Sequence, residues 1–298
     1  MRLALALACM AGCSAPTPES HGKGGAATEP SAFMEALAGY ERRTGGRLGV
    51  VLIDEAGREA LVGYRADEPM AFCSSFKFAL AGAALEAAAE RRFDPDVPVD
   101  YDLTSLPGYS PVLDKSGGRT TLRDAMVAAV TVSDNGAANM LIDAMGGPGA
   151  VTDRWRAWGD HTSRLDRRET ALNENAPGDP RDTSTPRAMA QTVRALDGDV
   201  LAPDDREWLF GLGEAATTGL DRVRAGLPEG WSAGDKTGTC KGEGDPNQQV
   251  NDIGWIDHPN GLDRYYFAVM VQRPSVSVAE TKRIMAEIGA HLATAIGD

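Results

Sequence analysis

Residues 72–77 of this chain read Phe-Cys-Ser-Ser-Phe-Lys, and the Ala/Leu-rich run FALAGAALEAAAER follows at 78–91. Almost every position of this run is a good helix former, and basic residues stand near its end, where they complement the helix dipole. The pattern predicts a buried helix that opens at or just before Ser74. The rest of the chain is organised around this helix start.

Ser74 and Lys77 are three residues apart, a spacing that places two side chains on one face of a helix. A hydroxyl beside an amine suits an activated nucleophile, because desolvation lowers the lysine pKa and lets the neutral amine act as a base. The alternative is an ordinary helix start, capped by a serine and carrying a surface lysine. Because Ser-x-x-Lys is expected about once by chance in a chain of this length, the motif alone does not decide between them.

Two further motifs follow along the chain, Ser-Asp-Asn at 133–135 and Lys-Thr-Gly at 236–238. Together the three motifs have the order and rough spacing found in class A β-lactamases and penicillin-binding proteins. From about Ser31 to the C-terminus the chain resembles the class A serine β-lactamases of this superfamily. The resemblance implies an α/β sandwich with an inserted all-helical lobe, and an active site in the cleft between them.

The pattern of elements predicts a compatible architecture from the residues alone. Strands are expected near both chain ends and helices between them, which indicates an α/β fold: one antiparallel sheet built from both ends, flanked by terminal helices, plus an inserted all-α lobe. We place the domain at 31–298, with its α/β part at about 31–70 and 215–298 and the helical lobe at about 71–214. The predicted elements are a helix at 31–43, a hairpin at 48–64, helices at 121–130, 135–145, 186–196 and 204–212, strands at 231–236, 250–255 and 265–272, and a helix at 278–296.

Composition limits the classes of partner. The chain has 298 residues, 42% of them hydrophobic, and a net charge of −13. Such an acidic protein is not expected to bind nucleic acid or an anionic membrane surface. The four histidines are scattered without metal-ligand spacing, which argues against a zinc enzyme, and no cofactor is expected. The expected partner is a small molecule, and a monomer is the default.

The first thirteen residues resemble an export signal. One arginine, a short apolar stretch and small residues precede Cys13, and the segment is too short to cross a bilayer. Met-Ala-Gly-Cys at 10–13 also resembles a lipoprotein box, so lipidation of Cys13 and simple cleavage both stay open. The Ser/Pro/Gly-rich segment at 14–30 is predicted to be a flexible tether. We therefore expect an exported, periplasmic protein, either lipid-anchored or released.

The resemblance assigns roles to Ser74, Lys77, Ser133 and Asn135 of the first two motifs, and to the backbone of Thr239. Ser74 is expected to attack the β-lactam carbonyl and form an acyl-enzyme, with Lys77 beside it. The backbone N–H groups of Ser74 and Thr239 are expected to form the oxyanion hole. Ser133 is expected to relay a proton to the leaving nitrogen, and Asn135 to donate to the side-chain amide of the substrate.

The third motif is expected to bind the anionic end of the substrate. By resemblance, Lys236 and Thr237 lie on an edge strand and bind the substrate carboxylate, with Arg222 in support. An alternative for Arg222 is a surface arginine on a polar turn. Tyr109 matches an aromatic position at the cleft rim, although an ordinary loop tyrosine is an alternative.

Residues 164–183 resemble the omega loop of class A enzymes, whose Glu-x-x-x-Asn holds the deacylating water. Here Glu169 and Asn173 take those places, and a carboxylate and an amide four residues apart are able to grip one water. Arg167 and Asp182 match the ion pair that closes the base of this loop. Thr170 departs from the proline that is common after the glutamate, which leaves the peptide bond at 169–170 open between cis and trans.

Cys73 and Cys240 are the cysteines left in the mature body. One precedes the predicted nucleophile and the other follows the Lys-Thr-Gly motif, so a disulfide is expected if both motifs face one cleft. The alternative is two buried free thiols. With Thr239, this pair resembles the subgroup that includes carbapenem-hydrolysing members.

Two rival functions share much of this machinery. A D-alanyl-D-alanine peptidase that binds penicillin would carry Ser74, Lys77, Ser133 and Lys236, but its acyl-enzyme would persist. A non-catalytic β-lactam sensor would also acylate and stall. The omega-loop residues favour the hydrolase, because they supply a way to break the acyl-enzyme with water.

Overall fold

The computed structural model describes residues 30–57, 60–241 and 244–297. The predicted signal at 1–13, Cys13 and the predicted tether up to residue 29 lie outside the described residues. Pro30, the last residue of that predicted tether, begins the first helix.

Five strands form one antiparallel sheet, and four short strands form two separate pairs. The sheet takes β1 and β2 from the N-terminal part of the chain and the last three strands from the C-terminal part, which confirms the predicted architecture. The strands are β1 Arg47–Ile53, β2 Ala60–Tyr64, β3 Met70–Ala71, β4 Pro98–Asp100, β5 Arg119–Thr121, β6 Thr183–Ser184, β7 Ser232–Cys240, β8 Gln249–Asp257 and β9 Arg264–Gln272. The order in the sheet is β2-β1-β9-β8-β7, and β3 pairs with β6 as β4 does with β5.

Helices fill the middle of the chain, and the helix at each end of the chain packs against the sheet. In the described residues they are α1 Pro30–Thr44, α2 Lys77–Ala89, α3 Leu122–Thr131, α4 Asn135–Met145, α5 Pro148–Ala157, α6 Pro186–Asp197, α7 Pro203–Glu214 and α8 Val278–Ile296. No helix among these residues is long and apolar enough to cross a membrane.

Three element predictions need correction. The helix expected to run to Arg91 ends at Ala89, because Arg91 adopts a left-handed φ of 61° that a helix cannot continue through. The strand expected to end at Lys236 runs on to Cys240, since its residues stay paired with β8. Helix α5 was not predicted: Val151 and Trp155 are its only buried residues, which is too little for a clear apolar period.

Alternating side chains of the sheet pack into two cores. Val51 of β1 packs into a core shared with α2, α3 and α4, whereas its neighbour Val50 packs into a second core with α1 and α8. Helix α2 lies deep in the first core, where ten of its thirteen residues are buried. The start of α2 is thereby held at the boundary between the sheet and the helices.

Candidate active site

Ser74 lies in a short 3-10 turn, Cys73–Phe76, that leads into α2. Its Oγ donates a hydrogen bond to Glu169 Oε1 at 3.1 Å, and Lys77 Nζ lies 3.0 Å from the same oxygen. The direct bond expected between Ser74 and Lys77 is absent from the described contacts. The Lys77 ammonium instead contacts the Glu169 carboxylate and two carbonyl oxygens, which carry more negative charge than a hydroxyl does. Ser74 and Lys77 are therefore linked through Glu169.

Lys77 is fully buried, which contradicts the surface-lysine alternative. Its Nζ donates to Ser133 O at 2.9 Å and to Asn135 Oδ1 at 2.6 Å, in addition to the contact with Glu169. Desolvation lowers the pKa of Lys77, against the opposing attraction of the Glu169 carboxylate. The desolvated lysine predicted from the sequence is confirmed.

Glu169 and Asn173 meet as predicted, with Asn173 Nδ2 donating to Glu169 Oε2 at 2.7 Å. The backbone of Glu169 is held from the other side by Asn139 of α4. Glu169 N donates to Asn139 Oδ1 at 2.9 Å, and Asn139 Nδ2 donates to Glu169 O at 2.8 Å. The peptide bond between Glu169 and Thr170 is cis. Asn139 was missed from the sequence, although it stands four residues after Asn135 on the same helix face.

The base of the omega loop is closed by the predicted ion pair. Arg167 Nε lies 2.5 Å from Asp182 Oδ2, and the same carboxylate accepts from the backbone N–H groups of Asp166 and Arg167. A buried carboxylate with these three partners fixes the two ends of the loop to each other. Glu169 is thereby carried on a closed loop and not on a free one.

Ser133 and Lys236 come together across the cleft. Lys236 Nζ donates to Ser133 Oγ at 3.0 Å and to Thr237 O at 2.8 Å. Lys236 is fully buried, and desolvation followed by repulsion from Lys77 lowers its pKa well below the ordinary lysine value. The strand that carries it, β7, is an edge of the sheet, as predicted.

Arg222 is buried, so the surface alternative for it is wrong. Its guanidinium donates to the carbonyls of Gly238 and Asn251, and to Thr239 Oγ1 at 2.8 Å. Because Thr239 accepts this bond, its own hydroxyl proton is free to be donated to a ligand. The buried Arg222 therefore orients the hydroxyl of the exposed Thr239.

Asp134 holds the turn that carries Ser133 and Asn135. It caps α4 by accepting from Ala137 N at 2.9 Å, and its other oxygen accepts from the N–H groups of Val112 and Leu113. Asn135 Nδ2 donates to Gly108 O at 2.5 Å, so the donor expected for a substrate amide has a partner in this structure. The Ser-Asp-Asn turn is a helix cap and a part of the site at once.

The two cysteines are joined by a disulfide with Cα atoms 5.5 Å apart. The predicted bond is confirmed, and the free-thiol alternative is wrong. The bond connects the turn that carries Ser74 to the end of β7 just beyond Thr239.

These groups line one open cleft of about 590 Å³. Lys77, Glu169 and Lys236 do not line it but lie buried beneath its floor. Tyr109 stands at its rim with 63% of its surface exposed. Five lining residues were given no role from the sequence, because none of them belongs to a motif with a fixed spacing: Thr217, Thr218, Leu220, Asp221 and Lys282.

Metal-ligating side chains do not gather here. Within the residues that the structure describes, no group of three or more His, Cys, Asp or Glu side chains is placed to hold a metal ion.

Comparisons with known proteins agree with this geometry. The model of a family described as the β-lactamase enzyme family matches residues 32–296. The carbapenem-hydrolysing β-lactamase KPC of Klebsiella oxytoca is 38% identical over 255 residues, which are 85% of this chain and 85% of KPC. β-Lactamase CTX-M-8 of Citrobacter amalonaticus is 44% identical over 208 residues, 69% of this chain and 71% of that protein.

Solved structures extend the likeness to three dimensions. The class A β-lactamase reconstructed for the last common ancestor of Gram-negative bacteria superposes with a TM-score of 0.84 at 43% identity. The match covers 89% of this chain and 99% of the ancestral one.

Proposed function

This chain belongs to the β-lactamase enzyme family, as a class A serine β-lactamase, and on that basis we propose that it opens β-lactams through an acyl-enzyme on Ser74 that a water held by Glu169 then hydrolyses. Hydrolysis of β-lactams follows from the family. The proposed mechanism rests on the position of the Glu169 carboxylate. One oxygen contacts both Ser74 Oγ and Lys77 Nζ, and the other is held by Asn173.

Acylation would use the contacts of Glu169 Oε1 with Ser74 and Lys77. Ser74 Oγ attacks the β-lactam carbonyl while its proton passes to the base formed by Glu169 and Lys77, and the backbone N–H groups of Ser74 and Thr239 stabilise the oxyanion. The C–N bond then breaks and the leaving nitrogen takes a proton from Ser133. Ser133 regains the proton that Glu169 and Lys77 took from Ser74, so the base is free again. Lys236 donates to Ser133 Oγ at 3.0 Å and polarises that hydroxyl.

Deacylation would use the contact of Glu169 with Asn173. A water between Glu169 and Asn173 loses its proton to the carboxylate and attacks the ester carbonyl. The bond between the acyl carbon and Ser74 Oγ then breaks, the opened product leaves, and Glu169 returns the proton to Ser74 Oγ. Asn173 is kept in reach because it is bonded to Glu169 Oε2 at 2.7 Å. This pair favours a hydrolase over a peptidase or a sensor that acylates and stalls.

Substrate binding is proposed to follow the charge of the cleft. The substrate carboxylate would lie against Thr237 and Thr239, above the buried cations Lys236 and Arg222. The acylamino side chain would lie at the opposite end, near Asn135, Asn173 and the ring of Tyr109.

The test of the proposed function is turnover of benzylpenicillin by the purified protein beside Ser74→Ala. The wild type is expected to hydrolyse many equivalents, and the variant none above the rate in buffer. A wild type that stops after one equivalent with a persistent covalent adduct would contradict the proposal and support the peptidase or sensor.

Carbapenem hydrolysis is a narrower proposal. It is supported by the disulfide between Cys73 and Cys240, by Thr239, and by the 38% identity to a relative named as carbapenem-hydrolysing. We expect the purified enzyme to turn over imipenem. Decay of imipenem no faster than in buffer would contradict this part alone.

The setting of the enzyme is proposed from the N-terminal sequence. Export to the periplasm fits the signal-like residues 1–13. The exported domain is proposed to be residues 31–298, to be monomeric and to confer β-lactam resistance. Mass spectrometry of the exported protein distinguishes the two forms: a lipid on Cys13 identifies the anchored one, and an unmodified N-terminus beyond Cys13 the released one.

A further inference from the structure

The rim of the cleft carries an ion pair that the mechanism above does not use. Of the thirteen residues that line the cleft, three are charged: Asp221, Arg222 and Lys282. Arg222 is buried and bonded to protein groups. Asp221 and Lys282 are bonded to each other, with Lys282 Nζ 2.9 Å from Asp221 Oδ2.

This pair is accessible from the cleft. The Asp221 side chain is 60% exposed and that of Lys282 is 26% exposed. Exposed ion pairs contribute little to stability, because water solvates each charge almost as well as the partner does. Either charge is therefore free to interact with a ligand that approaches it.

The pair lies at a defined end of the cleft. Asp221 precedes Arg222, whose guanidinium is bonded to Thr239, on the side where the substrate carboxylate is proposed to bind. In a cephalosporin, the C3 substituent is attached next to that carboxylate, and its charge varies from drug to drug. The ion pair is thus placed beside the part of the substrate whose charge differs most.

We propose that Asp221 and Lys282 are specificity-determining residues that select substrates by the charge of the substituent next to the substrate carboxylate. Asp221 attracts a cationic substituent and repels an anionic one, and Lys282 does the reverse. Leu220, exposed beside them, offers apolar contact to either kind. The inference rests on the proposed function and names the substrate feature that this end of the cleft distinguishes.

Three cephalosporins with the same aminothiazolyl-methoxyimino side chain isolate this feature. Cefepime carries a cationic C3 substituent, ceftriaxone an anionic one and cefotaxime an uncharged one. The readout is the ratio of kcat/KM for cefepime to kcat/KM for ceftriaxone. Asp221→Asn is expected to lower this ratio and Lys282→Gln to raise it, each about five-fold in low salt, with cefotaxime changed least.

A matched control and a salt series separate selectivity from structure. Arg283→Gln removes the same charge from the next residue of α8, whose side chain is 63% exposed and does not line the cleft. It is expected to leave the ratio unchanged. The shifts in the two test variants are expected to shrink as ionic strength rises, which a packing defect would not do.

Unchanged ratios in both variants, with cefotaxime still consumed, would overturn the proposal. Failure of the proposed function looks different: the wild type would form a stable adduct with all three drugs and not turn over. In that case the same ratio is read from the second-order rate constants of acylation, so the selectivity is tested either way.

Discussion

At the residue scale, the carboxylate of Glu169 is the meeting point of the site. It receives Ser74 and Lys77 on one oxygen and Asn173 on the other, and the residue is only 6% exposed. Burial strengthens each of these interactions because the surroundings have a low dielectric constant. A single side chain is thus placed to take part in both halves of the proposed reaction.

Lys236 gives a prediction about the pH profile. Burial and the nearby Lys77 lower its pKa well below 10.5, so its ammonium loses the proton at a correspondingly lower pH. If the charged form binds the substrate carboxylate, kcat/KM falls as the pH rises through this lowered pKa. Lys236→Arg keeps the charge and is expected to move the alkaline limb of kcat/KM to higher pH.

A profile of kcat/KM between about pH 6 and 10 for both proteins makes the comparison. An alkaline limb at the same pH in Lys236→Arg would assign that limb to another group. Circular dichroism across the same range controls for unfolding.

The motif residues were predictable from sequence, but their contacts were not. Ser74 and Glu169 are 95 positions apart and meet only because the omega loop closes on Arg167 and Asp182. Asn139, which supports Glu169, has no motif of its own. Spacing predicts neighbours within one helix, whereas these pairings depend on how distant segments pack.

At the element scale, the turn at 73–76 and strand β7 are in unusually close contact. A Cβ on Gly238 would lie 2.5 Å from Phe72 O and 3.0 Å from Ser75 N. Any side chain there would push the nucleophile turn away from β7. The glycine of the Lys-Thr-Gly motif is thus explained by packing, and the disulfide secures the same contact two residues later.

Removing the disulfide tests how firmly these elements are joined. The bond spans a sequence separation of 167, so Cys240→Ser is expected to lower the free energy of unfolding by up to about 5 kcal/mol in the chain-entropy model. Urea denaturation with and without reductant measures the loss. The reduced wild type is expected to approach the variant, and equal midpoints for oxidised wild type and variant would contradict the expectation.

Elements were predicted best where their apolar period was strong. Helix α8 was predicted to its end residues, Val278 and Ile296. Helix α5 was missed because only Val151 and Trp155 are buried, and the end of β7 was missed because Gly238 and Thr239 resemble a turn more than a strand.

At the scale of the whole molecule, helix α8 also helps to position the site. The short turn Val223–Gly226, which follows Arg222, packs against α8. A Cβ on Gly289 of α8 would lie 2.2 Å from Val223 O. The contact with α8 therefore fixes the backbone of the turn that directly follows Arg222.

Gly289→Ala is expected to destabilise the protein by about 2 kcal/mol or more, because backbone atoms must move to admit the methyl group. Gly149→Ala is the matched control, since Gly149 lies in α5 with no atom within 4 Å of the added Cβ. That variant is expected to be neutral or slightly stabilising. Thermal denaturation compares the two, and equal melting temperatures would contradict this account of the packing.

The charge distribution of the whole molecule fits an anionic substrate. The chain carries a net charge of −13, yet Lys236 and Arg222 are buried at the cleft, in addition to Lys77, whose charge is paired with Glu169. Burying cations costs free energy that the fold must offset elsewhere. Such a cost is understandable where the cations attract a small anion into a site on an acidic protein.

A nitrocefin time course with the purified protein, wild type beside Glu169→Ala, followed by mass spectrometry of each protein, decides whether Glu169 is the deacylating base. The wild type is expected to turn over steadily and to show no adduct at the end. Glu169→Ala is expected to release about one equivalent in a burst and then stall, with the acyl group on Ser74. Steady turnover by Glu169→Ala at the wild-type rate, or a stall in the wild type itself, would contradict the assignment of deacylation to Glu169.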